Sequence, residues 1–171
     1  KIEKMLRFLT GDFWTLTFLL ADTPAIQPAY KPLQRENDCV CLLSGGVDSL
    51  VGAIDLLAER RNPLFVSQII RGDAERQRNF AKRFGEHNHC QWSIGKLKGT
   101  EGSTRARSIA FFAFALLASS AISVSDRFTE IIVLENGFIS LNVPLDSNRI
   151  GSLSTKTTHP VYMAMLQEIW D

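Results

Sequence analysis

The chain is poor in cysteine: 171 residues contain only Cys39, Cys41 and Cys90. So few, and an odd number, exclude a disulfide framework and point to a reducing, cytoplasmic setting. No charge sign dominates. Nineteen lysines and arginines stand against eighteen aspartates and glutamates, a formal net charge of +1. That balance excludes a basic nucleic-acid-binding tail and an intrinsically disordered chain, and nucleic acid is not an expected partner. Long apolar runs are missing too. The longest covers ten residues, 109–118, and continues loosely through Ser119-Ser120-Ala121-Ile122. A membrane helix needs roughly 18 apolar residues, so the run reads as a buried helix of a globular domain, with no membrane partner. Residues 1–5 carry three charges around Ile2 and lead into no apolar stretch with a small-residue cleavage site, so no targeting segment is expected. What remains is ordinary: 45% apolar and 22% charged residues, enough for about one domain with a real core.

The chain alternates in type. Residues 5–10 and 13–21 are apolar or β-favouring and are separated by Gly11-Asp12, a pattern that predicts an N-terminal β-hairpin. Residues 22–37 carry Pro24, Pro28 and Pro32 and read as a linker. Residues 1–37 are thus expected to precede a main domain over 38–171. In that domain residues 40–43 predict a short buried strand. Residues 49–61 have the apolar spacing of a helix face at 50, 51, 54, 57 and 58. The alternation then repeats: strand at 64–70, charged helix at 73–87, weak strand at 90–94, polar loop at 96–103, apolar helix at 104–124, strand at 130–134. In the charged helix Phe80, Ala81 and Phe84 share a face. Strands alternating with helices predict an α/β fold, an open and mostly parallel sheet with helices on both faces. Residues 161–170 have helical spacing and stop at Asp171 without a cap, and position 1 is not methionine. A fragment truncated at its C-terminal side is therefore expected.

The most informative segment is Ser44-Gly45-Gly46-Val47-Asp48-Ser49, between a predicted strand and a predicted helix. Two glycines let the backbone turn sharply and approach an anion closely. Successive backbone N–H groups with a helix N-terminus behind them form an anion nest, and Ser44 and Ser49 add hydroxyls. A carboxylate at Asp48 suits such a nest if it holds a divalent cation beside phosphates. Its plainer role is a charge at the helix N-terminus, stabilising by roughly 0.3–1 kcal/mol. No lysine follows the glycines, which excludes the GxxxxGK[ST] loop.

These six residues resemble the SGGxDS loop of the PP-loop ATP pyrophosphatases. That resemblance implies an adenine-nucleotide alpha hydrolase-like (HUP) fold that cleaves ATP between the α and β phosphates with Mg²⁺. A substrate carboxylate or carbonyl is adenylated, pyrophosphate leaves, and a nucleophile displaces AMP. The segments 136–145 and 151–160 resemble the QueC-like branch, relatives of 7-cyano-7-deazaguanine synthase, most of all the QatC-type members of bacterial anti-phage gene clusters. The resemblance covers roughly residues 38–171. It implies a 7-deazaguanine-type acid or amide as substrate, or a protein group joined to such a base, with protein partners from a defence operon. The synthases proper bind zinc through a cysteine cluster. This chain has no Cys-x-x-Cys, so zinc is not supported, nor is a persulfide relay.

The resemblance places ATP on Ser44, Gly45, Gly46, Val47, Asp48 and Ser49, with Mg²⁺ at Asp48 and with Asp48, Ser49 and Arg105 as the catalytic set. Arg105, then Arg107, is the basic residue expected to hold released phosphates. Cations at a helix N-terminus oppose its dipole, a cost that bound phosphate offsets; a solvated arginine pair is the alternative. Glu135 and Asn136 follow a predicted strand end, where ligands sit in open α/β sheets. Asn136 has donor and acceptor atoms for a purine-like base, and an Asn-Gly turn is the plainer reading. Ser154, Thr155 and Lys156 belong to a hydroxyl-rich substrate loop or else to a solvated one. His87, His89 and Cys90 have no suitably spaced partners for a metal and read as a helix-end cluster. Cys39 and Cys41 read as core thiols. Two rival functions remain: an inactive nucleotide- or partner-binding module, and a tRNA-modifying ligase of the same fold, which would want a more basic surface.

Overall fold

The computed structural model describes residues 1–20, 35–69, 72–94, 107–122, 128–141 and 156–170. It contains two compact units, Gln34–Gly137 and, together, Lys1–Leu33 with Phe138–Asp171. Among the described residues no helix is long and apolar enough to cross a membrane.

The first unit is built on four parallel strands. They are β1 (Cys39–Leu42), β2 (Pro63–Gln68), β3 (His89–Trp92) and β4 (Glu130–Val133), in the spatial order β3-β2-β1-β4. Parallel neighbours need crossover connections, and helices supply them. Helix α2 (Val47–Ala58) links β1 to β2, and α3 (Ala74–Phe84) with a 3₁₀ turn at Glu86–Asn88 links β2 to β3. Helix α4 (Arg107–Ser119) lies between β3 and β4 in sequence. Every residue of β1 and β2 is buried. That is why β1 and the first four residues of β2 read as continuous apolar runs rather than alternating ones, since a parallel sheet is covered on both faces.

One face packs Cys41, Leu43, Phe65 and Ile132 against Ala53, Leu56 and Leu57 of α2 and Phe80 and Phe84 of α3. The Phe65 and Phe84 ring centroids lie 5.5 Å apart. Burying a ring such as that of Phe65, which is 0% exposed, stabilises by about 1.5–3 kcal/mol. The opposite face is covered by α4, which packs along β1, β2 and β4 and sets Phe114 5.5 Å from Trp92. At the N-terminal edge of the sheet Arg61 spans two strands. Its Nε donates to Asp38 Oδ2 at 3.0 Å and its Nη2 to Glu130 Oε2 at 2.8 Å. Burial, with Asp38 beside it, pushes the Cys39 thiol up to about 12, and burial pushes Cys41 to about 12 as well.

The second unit corrects one expectation. Residues 5–10 are not a strand of a hairpin: they belong to helix α1 (Ile2–Thr10), and residues 13–20 form no strand. Ile2, Met5, Leu6 and Leu9 follow the i, i+3, i+4, i+7 spacing of a helix face, and Met5, Leu6 and Leu9 are buried. Gly11 ends the helix with φ +80° and donates its N–H to Arg7 O at 2.9 Å, so Gly11-Asp12 is a helix terminus and not a hairpin turn. The chain then turns back through Thr10 Oγ1, which accepts from Asp12 N at 3.1 Å and Trp14 Nε1 at 2.9 Å. Helix α1 packs on α6 (Pro160–Trp170), which begins at Pro160 as a first-turn proline would. A one-turn helix, α5 (Gly137–Ser140), lies at the boundary between the units.

Candidate nucleotide site

Strand order decides where a ligand can sit. From β1 the chain steps to β2 and then β3 in one direction, and β4 returns to the other side of β1. The direction reverses between β1 and β4, and in open α/β sheets the crevice beyond the strand C-termini at such a reversal is the ligand site. Leu42 of β1 is level with Val133 of β4. The segment Ser44–Ser49 after β1 and the segment Glu135–Asn136 after β4 therefore emerge side by side at this crevice.

The 44–49 loop is braced from within. Gly45 has φ +90°, a conformation that glycine adopts without strain. Its N–H donates to Ser49 Oγ at 3.2 Å, and Ser49 Oγ donates to Gly46 O at 2.9 Å. Gly46 N–H donates to Ser44 Oγ at 3.2 Å, and the two serine hydroxyls meet at 3.1 Å. Ser49 is 1% exposed, so its hydroxyl serves the loop. Ser44, Gly46, Val47 and Asp48 are exposed. No side chain caps the start of α2. Its leading amides thus remain aimed at the crevice with the positive end of the helix dipole behind them.

The loop is also held from behind. Ser67 Oγ donates to Leu43 O at 2.7 Å, and His89 Nε2 lies 2.8 Å from Ser67 Oγ. The single serine proton goes to Leu43, so His89 Nε2 carries the proton of the second bond. Burial pulls the His89 imidazole below its ordinary value, while Glu86 opposes this. Gln77 Nε2 donates to Ser44 O and to Gln68 O, each at 3.0 Å, and Gln91 Nε2 donates to Gln77 Oε1 at 2.8 Å.

Across the crevice Glu135 and Asp48 are close enough to repel. Partial desolvation raises the Glu135 carboxyl and the Asp48 charge raises it further, while the Asn136 N–H, donating at 3.1 Å, pulls it down. The close approach of α2 to β4 is made possible by Gly52, where a Cβ would fall 2.5 Å from Leu134 Cδ2.

The structure thus brings together Ser44, Gly45, Gly46, Val47, Asp48, Ser49, Glu135 and Asn136. Arg107 is the exposed first residue of α4. Arg105, Ser154 and Thr155 lie outside the described residues. Lys156 belongs to the other unit, with its ammonium 5.0 Å from the Phe8 ring centroid. Among the described residues no group of three or more His, Cys, Asp or Glu could hold a metal. Sequence reasoning passed over Gln77, Gln91, Ser67 and His89 as supports of the loop. One signal was available: Gln77 shares the helix face of Phe80, Ala81 and Phe84, and an amide on an apolar face needs buried partners. Comparison with protein-family models, with curated proteins and with solved structures gives no match.

Proposed function

We propose that the 44–49 loop binds the phosphates of ATP and that the protein is a QueC-like ATP pyrophosphatase of the adenylating kind. The observation that supports this reading is the place of the loop: it lies at the β1/β4 reversal with Glu135 and Asn136 beside it. The uncapped amides of α2 suit a polyphosphate. Mg²⁺ takes one or two carboxylates and completes its shell with phosphates and water, so Asp48 with Glu135 is a sufficient protein contribution. When bound, the ion neutralises charge on the departing pyrophosphate.

The acceptor is a carboxylate or carbonyl of a 7-deazaguanine-type acid or amide, or of a protein group bearing such a base. Its oxygen attacks the α-phosphorus, the bond from that phosphorus to the α–β bridging oxygen breaks, and pyrophosphate leaves with the electron pair. A nucleophile then takes the acyl group and AMP departs. The chain's own part is positioning and electrostatic stabilisation by loop amides, with Arg107 as a cation for the phosphates and Asn136 for the base edge.

The test is incubation with α-³²P-ATP, Mg²⁺ and a 7-deazaguanine carboxylic acid, with Asp48→Ala alongside. AMP and pyrophosphate formed together and lost in the variant are the expected result. ADP as sole product overturns the reading. Tight ATP binding with no AMP favours a nucleotide-binding module.

A further inference from the structure

The β1–β2 backbone ladder runs out where the nucleotide loop begins. Its last bond in this direction is Leu43 N–H to Val66 O at 2.8 Å. The next two carbonyls, of Leu43 and Ser44, point back into the protein, where an unmet acceptor is costly. Each is met by a side chain in place of a strand: Ser67 for Leu43, Gln77 for Ser44. Each of those side chains is in turn held by β3, through His89 and Gln91. Residues 89 and 91 are two apart on a strand and share a face, so edge strand β3 reaches the loop through two parallel relays.

The Gln77 relay is the more specific of the two. Gln77 is 1% exposed, and its amide is fully used, with both N–H groups on carbonyls and its oxygen on a donor. Two carbonyl partners fix which end is nitrogen. Gln91 Nε2 also donates to Ala74 O at 3.0 Å, which ties the relay to the first turn of α3. The Gln77 stem lies against Gly45: a Cβ there would stand 3.1 Å from Gln77 Cγ. One side chain therefore sets the carbonyl before Gly45 and backs Gly45 itself.

We propose that Gln77 is a positioning residue for the nucleotide loop, oriented from edge strand β3 by Gln91. What the loop receives rests on the ATP reading above; the relay itself rests on the hydrogen bonds alone. Gln77 touches no ligand. It acts through Ser44 O and Gly45, keeping the loop in the one conformation that presents the α2 amides outward.

Gln77→Met keeps the stem against Gly45 and removes both donors, and Gln91→Met removes the support behind. Amide hydrogen exchange of the intact chain, without nucleotide, is followed together with ATP affinity by calorimetry. In Gln77→Met, exchange of the hydrogen-bonded amides within 44–50, those of Gly45, Gly46 and Leu50, is expected to rise at least tenfold, with β2 and β4 amides unchanged. Gln91→Met is expected to show a smaller rise at the same residues and to add nothing in the double variant. The ATP dissociation constant rises about tenfold, and in turnover KM moves more than kcat, a split that general loss of packing does not produce. Unchanged exchange at 44–50, or a rise spread evenly over the sheet, overturns the assignment. If Gln77→Met does not fold, Gln91→Met decides by the same pattern. If the wild-type chain binds no ATP while the exchange pattern holds, the ATP reading fails and the positioning role stands.

Discussion

Gly52 offers a test in which two known effects oppose each other. It lies inside α2, where replacing glycine by alanine ordinarily stabilises a helix by about 0.8–1.0 kcal/mol. Here the new methyl would fall 2.5 Å from Leu134 Cδ2, 2.9 Å from Cδ1 and 3.0 Å from Cγ. A single terminal methyl could swing aside, but the whole end of the leucine is in the way. Leu134 is packed into the core cluster with Leu57 and Ile132, so its retreat disturbs the neighbours. Overpacking of this kind costs about 1–3 kcal/mol. The overpacking outweighs the propensity, and Gly52→Ala is expected to destabilise by up to about 2 kcal/mol. In a Leu134→Ala background the obstruction is gone and only propensity remains. The same Gly52→Ala change should then stabilise by about 1 kcal/mol. Urea unfolding of the four proteins closes a double-mutant cycle, with an expected coupling of about 1–3 kcal/mol. Stabilisation by Gly52→Ala in both backgrounds would refute the close approach of α2 to the end of β4, and with it the placing of Asp48 beside Glu135.

Gly45→Ala should cost about 1–3 kcal/mol because of its positive φ and the Gln77 stem, whereas Gly46→Ala, extended at φ −85° with only Ser44 Oγ nearby at 3.5 Å, should cost less than about 1. Urea midpoints in the reverse order would contradict the loop geometry. With Cys39 and Cys41 pushed to about 12 and Cys90 also raised by burial, native protein at pH 8 should react slowly with Ellman's reagent at all three thiols, and rapidly once unfolded. Two or more fast native thiols would contradict that core. Burial alone would raise the Asp38 carboxyl, but the Cys39 thiol, the Asn62 backbone and Arg61 together hold it below its ordinary value. A depressed carboxylate stabilises above its unfolded value of about 3.9, and the contribution is lost as pH falls through the folded one. Since Asp38 and Arg61 are partly solvated, Asp38→Asn should cost about 0.5–1 kcal/mol at pH 7 and almost nothing at pH 2; equal costs at both would show that the charge is not the cause.

The alternation of strands and helices was legible because each element carries its own period. Val40-Cys41-Leu42-Leu43 is apolar throughout, as a strand covered on both faces must be. The N-terminal error has the same local origin. Gly11-Asp12 is chemically adequate for a hairpin turn and for a helix end, and the glycine alone does not distinguish them. The residues before it do: Ile2, Met5, Leu6 and Leu9 repeat with the helical period, and burial of that face decides for the helix.

The turn at 44–49 was legible for a related reason, since six consecutive residues place two glycines, two hydroxyls and a carboxylate between a strand and a helix. Glu135 and Asn136 were legible from a rule about strand ends. Gln77 was not, because its task exists only once strand order is known. It reaches Ser44 across 33 positions of sequence, and it can do so because β2 lies beside β1 and brings α3 against the loop. Had β4 taken the place of β2, the same six residues would still form a glycine turn before a helix. Ser44 O would then face a different neighbour, and the loop would have to be held by other means or not at all. A short motif thus specifies which backbone groups the proposed phosphate would meet. Whether they are held ready for it is settled by residues the motif does not contain, and exchange at 44–50 in the Gln77 and Gln91 variants measures that second quantity directly.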